Sequence, residues 1–396
     1  MNLIRDSEKT IDKIFLKPAV VISAILIYAT LPFILSAQDT RNCSYKATQS
    51  QISQRAGSIE DKGQLISIPI VVHVIYANSQ QNISDEQIGS QLKVLIEDFT
   101  RINSDTVNTL IVFKKVAGNA KINFYLAAQD QFGNPTNGIT RTHSSHGPFA
   151  NDDIHYKDKG GENPWPTNRF LNVWVCDLAD GIFGFASPIG SASSIEGIVI
   201  DFKFFGTIGL VSAPFDKGRT ATHEVGHWMG LKHIWGDSGG CTDDDGITDT
   251  PPQVGPSSGC NLTRASCGNL NMVQNFMDTS NDACVNLFTK EQVSVMRKNL
   301  FTYGQKLIRD EVVTGVTEQK ASAIEIIQIG TNQYKIKSEH SIDLLCICDL
   351  VGHELYWEQE AFSRNEVNVT LSCIDKILIV IIFSGKEKIV KKFIAF

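Results

Sequence analysis

The 396-residue sequence carries no excess of basic charge: 36 Lys and Arg stand against 43 Asp and Glu, for a net charge of −7. It has no basic stripe either, and the two absences exclude the electrostatic footprint of a nucleic-acid-binding protein. Its nine cysteines never fall in C-x-x-C spacing, which argues against a zinc site built from cysteine pairs. What is present is globular in character, 42% hydrophobic and 20% charged, in a chain long enough for two ordinary domains. The cysteine count fits an oxidising compartment.

The residues that carry chemistry are His223, Glu224, His227, Gly230 and His233, spaced H-E-x-x-H-x-x-G-x-x-H. Residues four apart share a helix face, so His223 and His227 can reach one metal ion. Gly230 can take a positive φ and end the helix abruptly, and the turned chain then brings His233 to that ion as third ligand. Three neutral imidazoles with an open fourth position describe a catalytic zinc, whereas a structural zinc is closed by four protein ligands. Glu224 follows the first ligand and stands beside the open position as general base. Histidines facing solvent or satisfied in a core are the ordinary alternative, and three in register with the Glu and the Gly argue against it. The long motif is a metzincin signature. It also requires a methionine turn beneath the metal, which Met277 in Asn275-Phe276-Met277-Asp278 supplies.

Around this motif the chain reads as an alternation of strands and helices. Residues 66–76, 121–126 and 170–175 have strand character, and Cys176 follows the last as a buried thiol. Ser84 and Gln87 resemble a capping box. Ile88, Leu92, Leu95, Ile96, Phe99 and Ile102 then recur at helical spacing and predict a core-facing stripe. Residues 184–188 would lie near an edge strand, where unpaired backbone groups can bind an extended peptide by strand addition.

Residues 223–235, the cysteines that follow, and residues 275–284 together resemble the pappalysin family of metzincins, in its secreted, ulilysin-like bacterial branch. The likeness extends upstream to residues 68–76 and 133–139, so it covers roughly 62–305. It implies an α+β zinc endopeptidase with a twisted mixed sheet, an active-site helix and a small lower subdomain. By the same resemblance Met277 is the Met-turn residue and Asp282 floors the S1′ pocket. A carboxylate buried there pairs with Arg or Lys, because an unpaired buried charge is costly, so cleavage before Arg or Lys is expected. A solvated turn residue is the other reading of Asp282. Relatives carry Tyr two residues after the methionine; Thr279 stands there in this chain, and its shorter hydroxyl removes one source of transition-state stabilisation.

Cys241, Cys260, Cys267 and Cys284 bracket the segment between the zinc helix and the Met-turn, and spacing alone cannot choose among their three pairings. The resemblance favours Cys241–Cys267 and Cys260–Cys284. It also matches Asp245, Thr248 through its carbonyl, and Thr250 to calcium ligands on a loop whose oxygens suit that ion. A further acidic ligand falls on Pro252, and a solvated acidic turn is the alternative.

At the N-terminus an apolar run over residues 19–37 follows Arg5, Lys9, Lys13 and Lys17. This predicts a signal peptide over 1–37, with no stable membrane insertion once it is removed. The run approaches spanning length, so a retained anchor is the rival. Residues 38–61 are polar and read as a pro-segment, in which Cys43 is a candidate for holding the enzyme latent through its thiolate; an ordinary cysteine in a discarded segment is the alternative. Residues 306–320 read as a linker, and short β runs beyond them predict a small all-β sandwich over 321–396. Residues 349–355 and 385–392 resemble the C-terminal sorting domains of type IX secretion cargo, which would make that machinery a partner; a substrate-binding module is the rival. Cys346, Cys348 and Cys373 have no assigned role. The sequence therefore predicts a secreted endopeptidase with one catalytic Zn2+ and a structural Ca2+, acting on proteins or peptides. A non-catalytic, zinc-bearing surface adhesin is the competing reading, and Glu224 argues against it.

Overall fold

The computed structural model describes residues 41–43, 61, 63–150, 152–236, 238–308, 324–330, 332–349, 354–371, 376–384 and 387–395. The expected signal peptide lies outside the described residues, as do most of the pro-segment and most of the linker. Among the described residues no helix is long and apolar enough to cross a membrane.

Strand β1 (Ile66–Tyr76) is buried along all but its last residue, an apolar run that marks a strand covered on both faces. It pairs in parallel with β2 (Ile122–Leu126) and β3 (Ile139–His143) along one edge and with β4 (Leu171–Cys176) along the other. Strands β5 (Gly184–Ser187) and β6 (Gly197–Asp201) complete a mixed sheet in the order β2-β1-β4-β6-β5, in which only β5 is antiparallel. The expected edge strand is thus β5.

Helix α1 (Asp85–Phe99) packs Ile88, Leu95 and Phe99 into the core, with Leu92 and Ile96 at its margin. Ile102 departs from the expected stripe: the helix ends at Phe99 and Ile102 is 66% exposed. Ser84 accepts from the Gln87 amide at 3.2 Å, which is half of a capping box. The Gln87 side chain is drawn away instead, donating to the Phe205 carbonyl at 2.8 Å.

Helix α2 (Arg219–Trp228) is buried at every residue. Asp98 of α1 pins its first turn, accepting from Arg219 Nη1 and Thr222 Oγ1 at 2.6 Å each. Helix α3 (Lys290–Tyr303) opens on a full capping box between Thr289 and Gln292. Its Arg297 holds Asp61 through Nε at 2.7 Å and Nη2 at 2.6 Å, next to the expected start of the catalytic domain at residue 62.

The C-terminal strands β7 (Ile324–Gly330), β8 (Gln333–Asp349), β9 (Glu354–Thr370), β10 (Lys376–Ser384) and β11 (Glu387–Ala395) form one antiparallel sheet. The short β runs expected at 333–337 and 342–350 merge into the single strand β8, because bulges between Lys337 and Leu344 carry the pairing across polar residues. One hydrophobic cluster serves this sheet, drawn from both ends of β8 and from β7, β9 and β10.

Candidate active site

Helix α2 places His223, Glu224 and His227 on its inner length with no exposed surface. Gly230 has φ of 91°, and a Cβ there would collide with the Asn299 amide. Leu231 N then donates back to the Gly226 carbonyl at 3.0 Å, closing the helix end. The reversed chain delivers His233, which stacks on Trp235 with ring centroids 4.3 Å apart. Beneath the helix lies Met277, fully buried; a Cβ on Gly226 would collide with its sulfur. Gly226 is therefore what lets the Met-turn approach.

His223 Nδ1 lies 2.7 Å from the Phe276 carbonyl and His227 Nδ1 lies 2.8 Å from the Leu231 carbonyl. These contacts fix the Nδ1–H tautomers and leave both Nε2 atoms as lone pairs. His227 Nε2 stands 3.0 Å from that of His223 and 3.2 Å from that of His233. Burial holds all three rings neutral: His223 and His227 are pushed well below the usual imidazole range, and His233 down to about 4. Neutral lone pairs crowded into one buried space repel one another unless a cation sits among them, so the donor set fits a divalent metal ion.

Cys43 completes this group. Its sulfur and the three imidazole nitrogens all lie within 4.8 Å of one another, and no other such grouping occurs among the described residues. The Cys43 thiol also donates to Glu224 Oε2 at 3.5 Å, while the buried Oε1 has no hydrogen-bond partner. Burial pushes the Glu224 carboxyl up to about 8, against the thiol contact and the charge of Arg41.

Asp282 has no exposed surface. Its Oδ2 accepts from the amides of Lys217 at 2.8 Å and Arg219 at 3.2 Å, at the start of α2. Its Oδ1 accepts from Arg41 Nη2 at 2.8 Å. The same guanidinium donates to the Asp278 carbonyl at 3.2 Å and lies over the Phe215 ring, 5.8 Å from its centroid. The chain between Arg41 and Cys43 is held at the backbone: Arg41 N donates to the Thr279 carbonyl, Phe183 N donates to the Asn42 carbonyl, and Cys43 bridges Gly184 of β5 in parallel.

Cys241 is joined to Cys267 and Cys260 to Cys284, with Cα–Cα distances of 5.4 and 5.7 Å. Cys176 is fully buried at the end of β4. Thr279 Oγ1 donates to the Ser257 carbonyl at 3.0 Å. Asp245 accepts from Ile247 N and from Thr250 Oγ1, while the Thr248 hydroxyl donates to Glu291. Sequence reasoning missed Arg41 and Phe215. An Arg two positions before a candidate latency cysteine was the one available signal for Arg41; for Phe215 there was none.

Residues 155–301 match the family described as pregnancy-associated plasma protein-A. An extracellular metalloprotease 1 of Coccidioides posadasii is 30% identical over 264 residues, covering 61% of this chain and 82% of that protein. One from Colletotrichum graminicola is 34% identical, covering 58% and 75%. Among solved structures, mature mirolysin of Tannerella forsythia in complex with a cleaved peptide superposes with a TM-score of 0.59 at 46% identity, covering 62% of this chain and 99% of that one. A mutant of promirolysin from the same organism gives 0.61 at 48% identity, covering 63% and 85%.

Proposed function

The chain belongs to the pappalysin family of metalloproteases and is a secreted zinc metalloendopeptidase, and we propose that it cuts on the N-terminal side of Arg or Lys while residues 41–43 hold its precursor latent. The observation that carries this reading is the Arg41 guanidinium on the buried Asp282, two residues from a sulfur set among three histidines. Arg41 there stands in for a substrate's basic side chain. Asp282 has one oxygen committed to backbone amides and the other directed at the cation, an arrangement that leaves a costly unpaired charge when an apolar side chain enters.

In this reading His223, His227 and His233 hold the zinc. When bound, zinc polarises the scissile carbonyl and makes water acidic enough to attack near neutral pH. Glu224 accepts the proton of the attacking water at its carboxylate and passes it to the departing amine. Its Oε1, buried and without a partner, is the atom with capacity to do so. Strand β5 supplies backbone groups to an extended peptide, as it does to Cys43 in the precursor.

A peptide library presented to the activated parent, Glu224→Ala and Asp282→Asn tests the whole assignment. The parent is expected to cut before Arg and Lys. Glu224→Ala is expected to keep its zinc and lose about a thousandfold or more in turnover. Asp282→Asn is expected to keep turnover on neutral sequences and lose about a hundredfold in its preference for basic ones. A parent indifferent to the residue after the cut would remove the specificity claim. The same family reading puts a calcium ion at Asp245, Thr248 and Thr250. Chelating calcium, with zinc retained, is then expected to lower the melting temperature by several degrees.

A further inference from the structure

Residues 206–218 join β6 to α2 and form one wall around Asp282. The Lys217 amide holds Asp282 Oδ2 at 2.8 Å, the Pro214 carbonyl accepts from the Asp282 amide at 3.1 Å, and Phe215 faces the Arg41 guanidinium. The stretch contains no strand or helix of its own, so its path depends on what its ends are tied to.

Both ends are tied to one side chain of α1. Gln91 Oε1 accepts from Gly206 N at 2.7 Å, and Gln91 Nε2 donates to the Gly218 carbonyl at 2.9 Å. Gln91 is 1% exposed, so these bonds are made away from competing water. Ser90 accepts from Thr207 N at 2.9 Å, beside the Gln87 bond to Phe205. The loop lies directly on the helix. A Cβ at position 206 would stand 2.8 Å from Ser90 Oγ, and one at 218 would stand 2.9 Å from Gln91 Oε1. Both glycines also have positive φ, 90° and 71°, so neither position accepts a side chain without strain.

We infer that Gln91 is a positioning residue for selectivity at the residue after the scissile bond. It acts through the 206–218 loop, fixing Gly218 between the two amides that hold Asp282 Oδ2 and so leaving Oδ1 directed at the incoming cation. The inference rests on Asp282 as the floor of that pocket. Removing the Gln91 amide strands the Gly206 N–H and the Gly218 carbonyl in a buried place, and the loop must shift to recover partners.

The test uses the activated full chain and peptide pairs that differ only in Arg or Leu after the cut. Gln91→Met keeps the volume and removes both bonds. Its Arg-over-Leu ratio in kcat/KM is expected to fall about tenfold, mainly through a higher KM for the Arg peptide, with zinc content unchanged and kcat on the Leu peptide within about twofold. Ser90→Ala, a milder cut in the same tether, is expected to move the ratio the same way by less, and it decides the matter if Gln91→Met does not fold. An unchanged ratio overturns the inference, and so does an equal loss on both peptides. Absence of any Arg preference in the parent sinks the basic-pocket reading instead; Gln91 is then judged by whether the parent's own ranking of side chains moves in the variants.

Discussion

Cys43 touches two groups with different duties: its sulfur lies among the imidazoles and donates to Glu224. In the proposed latent state a sulfur in that position would exclude water from the place where attack must begin and also engage the base that would deprotonate it. The precursor carrying Cys43→Ala is therefore expected to hydrolyse peptide while the parent precursor does not; equal latency in a direct assay of the two would overturn the assignment. The histidines and Glu224 were legible in the sequence because helix geometry fixes what a spacing of four means. Gly230 was legible because a helix that turns sharply needs a residue tolerant of positive φ. Arg41 was not, since its partner Asp282 lies 241 positions away and no local pattern connects them. Gln87 was read as half of a capping box, yet burial against residues 202–205 gave its amide a better use.

Elements carry the site through their ends. Helix α2 is buried throughout, with its start set by Asp98 and its end by Gly230, so the helix has little freedom to slide. The segment between β5 and β6 holds Glu196, 7% exposed, whose carboxylate accepts from Gly190 N at 3.0 Å. Burial outweighs that bond and raises its pKa from 4.5 to about 7. A carboxyl raised on folding binds its proton more tightly in the native chain, so its contribution to stability is full below about pH 4.5 and is lost as pH rises towards 7. Glu196→Gln is expected to flatten that loss by about 2 kcal/mol, read as the difference between denaturation midpoints at pH 4.5 and pH 7.5 for variant and parent. Strand existence was legible here from apolar runs. Strand length in the C-terminal sheet was not, because a bulge lets pairing continue through residues that look like a break.

Among the described residues no hydrophobic cluster is shared between the catalytic part and the C-terminal sheet. The cluster that supports the catalytic residues includes nothing beyond Ile308, and the C-terminal one begins at Ile324. Deleting residues 321–396 is accordingly expected to leave peptide hydrolysis within about twofold. If that sheet is a type IX sorting domain, as its sequence resembles, the shortened protein accumulates in the periplasm; normal appearance in the medium would contradict it. The latency proposed for residues 41–43 has a different geography. Its inhibitory contacts are made by three consecutive residues, and all of them precede the anchor at Asp61. On that proposal, cutting the chain anywhere from 44 to 60 would turn an intramolecular inhibitor into a separate peptide. Its effective concentration drops from the millimolar level typical of a short tether to whatever the surroundings hold. On the proposed latency, waking the enzyme would take two events, scission and dilution, and a secreted protease would meet the second simply by diffusing away.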